Sequence, residues 1–92
     1  MTVIRKREYL NELKKILSYI ALDSKNRAIL FKKQLDLAID NLVYFPYKYR
    51  QSIHYNDKEV RDLIFKGYTI IYRIDISKDQ IAIVDIFKWA DR

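Results

Sequence analysis

Cations interleaved with aromatic rings are the only chemistry-bearing pattern in this sequence: Lys48, Tyr49, Arg50, Arg61, Lys66, Tyr68, Arg73, Lys88, Trp89 and Arg92. Arginine holds phosphates through paired N–H donors and Tyr or Trp stacks on bases, so the mixture suits RNA or DNA. A blander reading stands beside it. Tyr68 and Tyr72 on a small sheet read first as packing residues with their hydroxyls toward water. Arg61 and Arg73 have Asp62, Asp75 or Asp85 as cross-strand ion partners. No phosphate-binding loop, G-x-S-x-G, CxxC or HExxH spacing occurs. There is no Cys, and the single histidine, His54, reads as a loop or packing residue, so neither a metal site nor a cofactor is expected. Asp57, Glu59 and Asp62 read as solvated charges, because Glu59 and Asp62 fall on opposite faces of a strand and form no acid/base pair.

The elements that must position these residues follow from periodicity. Val60 to Ile74 holds the only glycine, Gly67, between two runs of β-branched and aromatic residues. Joined at Lys66-Gly67, the runs predict a β-hairpin whose turn uses the positive φ of Gly67. Ile81 to Phe87, after the polar break Ser77-Lys78-Asp79, predicts a third strand buried on nearly both sides. Upstream, Tyr9, Leu10, Leu13, Ile16, Leu17, Ile20 and Ala21 mark one face of a helix. Asp23-Ser24 interrupts it and offers an N-cap to a second helix striped by Ala28, Phe31, Leu35, Ala38, Ile39 and Leu42. Phe45-Pro46 ends that helix, and a connection without clean period runs to Tyr55. Val3-Ile4 is a possible short strand at the start. The expected architecture is α+β: an antiparallel helical hairpin packed on a small twisted antiparallel sheet of three strands, with a possible fourth short N-terminal one, in a single domain over 1–92. The second sheet face is expected to lie open.

Composition narrows the function classes. The chain has 92 residues and a formal charge of +6, and residues 1–33 carry the whole excess, with nine Lys/Arg against three acids. Such a field favours a polyanion or an acidic protein partner. No apolar run approaches the ~20 residues of a membrane span, and the charged N-terminus lacks an apolar signal core, so a cytoplasmic location is expected.

Tyr19-Ile20-Ala21 with Asp23-Ser24, Ala28 and Phe31, Leu42 and Phe45-Pro46, Val60-Arg61-Asp62-Leu63, Gly67-Tyr68 leading to Ile71-Tyr72-Arg73-Ile74, and the closing run Ile81 to Phe87 together resemble the RelE/ParE toxin superfamily. The resemblance spans roughly Ile4 to Trp89. It implies the toxin of a type II toxin–antitoxin module, with a helical hairpin over a twisted sheet and a cognate antitoxin as partner. RelE-like members cleave ribosome-bound mRNA, and ParE-like members inhibit DNA gyrase. In an ungapped match Val60 and Asp62 stand where the ribonuclease branch has lysines, and Thr69 stands where both branches commonly have arginine. The stretch after Phe87 also lacks that branch's terminal tyrosine. Little is then left to stabilise a pentacoordinate phosphate or deprotonate a 2′-hydroxyl. The resemblance is thus nearer the ParE-like branch, with a ribosome-dependent endoribonuclease or an inactive antitoxin-binding remnant as alternatives. It implies Arg61, Lys66, Tyr68, Arg73, Lys88, Trp89 and Arg92 as candidate target or phosphate contacts, with no catalytic set. Leu13, Leu17, Ile20, Phe31 and Leu35 are the candidate antitoxin-binding residues, with the antitoxin adding a helix to the groove and a strand to the sheet edge.

Overall fold

In the computed structural model, which describes residues 1–88, the two apolar stripes form α1 (Arg7–Asp23) and α2 (Lys25–Asp40). Ser24 separates them and, as expected, caps α2: its hydroxyl accepts from the Arg27 amide at 3.2 Å. A one-residue link leaves the helices no choice but to fold back on each other. A short 3-10 turn, Asn41–Val43, extends α2 toward Pro46.

The sheet has four strands, β1 (Thr2–Arg5), β2 (Val60–Phe65), β3 (Tyr68–Asp75) and β4 (Gln80–Lys88), in the order β1-β4-β3-β2. The β2–β3 hairpin turns at Lys66 and Gly67, both at positive φ (48° and 83°). That is the mirror-image turn whose twist matches the strands. The short N-terminal strand exists, and it pairs parallel with β4, so the sheet is mixed, not purely antiparallel. Arg5 then reaches across to Asp36 (3.3 Å) and Asp40 (3.1 Å) and ties this edge to α2.

Tyr9, Leu13, Phe31, Leu35, Ile39 and Leu42 meet Leu63, Ile70, Tyr72, Ile74, Ile81, Ile83 and Ile86 in the main core. Full burial of each such side chain contributes about 1.5–3 kcal/mol. Phe31 sits edge-on to both Phe65 (5.5 Å) and Tyr68 (5.4 Å) and fixes α2 over the hairpin end. Burial first, and the Asp36 charge second, push the Tyr9 phenol up to about 12, so it stays neutral. Between β3 and β4 the register slips at Ile71 and Tyr72 of β3, which pair with Asp85 and Ile83 of β4. The extra residue, Val84, is a bulge that lets Ile81, Ile83 and Ile86 all face the helices.

The second sheet face is not open. The 44–59 connection folds back over it, and Val60, Ile71 and Phe87 form a second small core with Val84. His54 packs edge-on against Phe87 at 5.1 Å, which is the packing role expected of it. Beside β2 the connection adds a short ladder: the Ser52 amide donates to Val60 (2.8 Å) and the Asp62 amide to Arg50 (3.1 Å). Asp62 is therefore not solvated. At 1 % exposure its carboxylate accepts from the Ile53 amide (3.3 Å) and pairs with Arg50 (3.4 Å).

Asp57 closes the connection onto β3 through Arg73 at 2.8 Å. The Glu59 amide and, second, Arg73 hold its carboxyl below the ordinary range. A depressed acid contributes its full stabilisation above the unfolded value of about 3.9 and loses it as pH falls through the lowered folded value. Amide protection across 57–59, relative to the intrinsic exchange rate at each pH, is accordingly expected to hold at neutral pH and to fall only below about pH 4. Loss of protection already at pH 6 would show that Asp57 is not the anchor.

Candidate functional site

The stripe of α1 is too wide for one interface, and its two edges part company. Tyr9 and Leu13 are buried against the sheet, whereas Leu10 remains 46 % exposed. Leu10, Leu13, Leu17 and Ala21 from α1 and Ala28 and Ile29 from α2 floor an open groove of about 510 Å³. Ile29 is 67 % exposed. Lys14, Lys25 and Lys32 stand at its rim. Lys32 pairs with Asp36 at 2.7 Å, while Lys14 and Lys25 have no carboxylate partner among the described residues. An apolar trough between unneutralised ammonium groups suits an amphipathic segment with acidic flanks.

Of the five residues expected to meet an antitoxin, only Leu13 and Leu17 line this groove. Leu35 is fully buried and Phe31 is 8 % exposed, because both face the sheet, and Leu13 shows only an edge at 4 %. Those three side chains are mainly core, with Leu13 also presenting an edge to the groove floor. Ile20 lies at the hairpin tip with Tyr19, Leu22, Asp23 and Arg27. Leu10, Ala21 and Ile29 are groove residues that the expected set omitted.

The five candidate target contacts among the described residues do not converge. Tyr68 and Lys88 are paired across β3 and β4 and line a cleft with Lys15, Ile16, Tyr19 and Phe87. Lys66 is at the same end and binds Gln34. Arg61 and Arg73 lie at the other end, five residues away and thus about 17 Å along the strands. Both are occupied there. Arg61 donates to the carbonyls of Lys58 and Tyr49 (3.1 Å each) and lies 4.9 Å from the Tyr47 ring centroid, while Arg73 holds Asp57. The expected pairings with Asp62, Asp75 or Asp85 are thus replaced by contacts to the connection. Trp89 and Arg92 lie outside the described residues. No group of His and carboxylates able to hold a metal occurs among the described residues, and none of their helices is long and apolar enough to cross a membrane.

A helical hairpin over a mixed four-stranded sheet, with an apolar groove rimmed by lysines, defines a small α+β domain. The family model of the ParE toxin of the type II toxin–antitoxin system parDE matches residues 3–91, and the chain belongs to that family. A solved structure described as the chromosomal ParDE toxin–antitoxin system from P. aeruginosa shares the fold, with a TM-score of 0.77 at 19 % identity over 96 % of this chain and 95 % of that one. No curated protein sequence matches.

Proposed function

We infer that this toxin acts by binding, with DNA gyrase as its target, and that a cognate antitoxin silences it through the groove between α1 and α2. The observation that carries the inference is the separation of the cations. Cleavage of RNA needs donors and a base converging on one phosphate. Here Lys66, Tyr68 and Lys88 stand about 17 Å along the strands from Arg61 and Arg73, and both arginines are committed to the connection. The family membership supports the ParE-like reading over the RelE-like ribonuclease.

The antitoxin surface follows from charge and polarity together. Lys14 and Lys25 beside Leu10, Leu17 and Ile29 favour an amphipathic helix carrying acids on its flanks. The open edges of β1 and of β2 near Ile64 are where an extended tail would add a strand.

The purified chain, added to gyrase and supercoiled plasmid, is expected to trap cleaved DNA and to leave translated mRNA intact in primer extension. Unimpaired supercoiling at large toxin excess sinks the gyrase target. Cleaved mRNA from the induced chain would install the ribonuclease reading instead.

A further inference from the structure

Where α2 gives way to the connection, the chain makes two successive turns. The Tyr44 amide donates to Asn41 at 3.2 Å and the Lys48 amide to Phe45 at 3.0 Å. Below them the hydroxyl of buried Tyr72 donates to the Pro46 carbonyl at 2.6 Å. These bonds hold Tyr44 and Phe45, each 71 % exposed, out from the surface. Exposing two large rings costs hydration free energy, and burial within the chain does not recover it.

The rings are walls. Tyr44, Phe45, Lys48 and Tyr49 enclose a cleft of about 280 Å³ against Ala38, Asn41 and Leu42 at the end of α2. That volume falls just below the ~300–1,000 Å³ of drug-sized sites, so it suits one planar group and not a helix. Its lining combines three aromatic residues with the Asn41 amide, which both donates and accepts, and with Lys48, whose ammonium lies 5.5 Å from the Tyr49 ring centroid. Asp57 is paired with Arg73, and Glu59 keeps its charge while accepting from the Tyr47 hydroxyl (2.5 Å), whereas Lys48 and Lys58 have no carboxylate partner among the described residues.

We propose that this cleft is a nucleobase pocket for single-stranded nucleic acid, with the base held between the Tyr44, Phe45 and Tyr49 rings and the adjoining phosphate at Lys48. Stacking accepts any base because each has a π-face, and Asn41 offers an amide to its hydrogen-bonding edge. A second copy of the chain is a poor occupant, since pairing this face with itself would juxtapose its lysines. The pocket is separate from the groove of α1 and α2 and makes no use of the gyrase reading.

Fluorescence anisotropy of the full chain with labelled rU12, dT12 and a duplex of equal length tests it. Both single strands are expected to bind and the duplex to bind much more weakly, with the better single strand showing whether RNA or DNA is preferred. Tyr44→Ala with Phe45→Ala should weaken the single strands tenfold or more, as loss of stacking does. Lys48→Ala should flatten the salt dependence by about 0.7 in log–log slope, one phosphate's share on a single strand. The two rings are surface groups, so an unchanged melting temperature will separate loss of binding from loss of fold. Ile29→Asp in the groove should leave oligonucleotide binding as it was, whatever it does to an antitoxin. Equal binding by the wild-type chain and the ring variant overturns the proposal, as does no binding to either single strand. In the latter case loss of gyrase inhibition by the ring variant would assign the cleft to a protein side chain.

Discussion

Leu10→Asp combined with Ile29→Asp is expected to weaken antitoxin binding by about 100-fold or more while leaving the melting temperature within a few degrees of the parent. The two side chains lie on the same groove and are 46 % and 67 % exposed, so neither supports the core appreciably. Their substitution places two carboxylates on a surface that the antitoxin's apolar side chains must cover. An uncompensated charge in a closed interface costs about 2–5 kcal/mol, and about 2.7 kcal/mol is already a factor of 100. Lys14 and Lys25 at the rim can partly neutralise the new acids, but only by giving up the acidic flank of the partner. Calorimetric titration with a cognate antitoxin measures the change. Undiminished binding by the double variant would move the antitoxin off this groove altogether. Lys14→Glu and Lys25→Glu form a milder control, expected to lower the association rate more than to raise the dissociation rate.

The helical hairpin, its Ser24 cap and the Lys66-Gly67 turn were legible because each is local. A period of 3.6, a hydroxyl before a helix and a single glycine between alternating runs need no knowledge of distant residues. What escaped was non-local. Nothing in Thr2–Arg5 says that its partner is β4 or that the pairing is parallel. Asp62 between Arg61 and Leu63 reads as a solvent-facing strand residue, and it is buried only because residues 50–53 return to meet it. The bulge at Val84 hid in a run where almost every residue is apolar, so no alternation marked the change of face.

The candidate groove was half legible for a similar reason. An apolar stripe as broad as that of α1 announces two interfaces but not which edge meets the sheet. Tyr9 and Leu13 took that edge, Leu17 is shared between core and groove, and Leu10 and Ala21 line the groove. The scattering of the cations, by contrast, was already implied by the hairpin register. Once the turn is fixed at Lys66-Gly67, Arg61 and Arg73 must lie near the far end, opposite Tyr72 and Val60.

Tyr72→Ala is expected to cost about 3–5 kcal/mol, the range for removing a fully buried aromatic ring, against about 0.5–1.5 kcal/mol for Tyr72→Phe, which removes one hydrogen bond. The ring is fully buried in the main core, and its hydroxyl is the tie between β3 and Pro46 at the start of the connection. Burial raises the phenol well above its ordinary range, so it remains a donor throughout the working pH range. The two variants therefore separate two jobs. Tyr72→Ala empties the core and should lower the urea midpoint and loosen every element. Tyr72→Phe keeps the core filled, and its small loss should be concentrated in faster amide exchange at Lys48 and neighbouring positions, where the turn loses its tether. Equal losses from both variants would place the whole contribution in the hydroxyl. A silent Tyr72→Phe with no change at 44–49 would instead leave Pro46 and the hydrophobic contacts of Leu42 to fix the connection unaided.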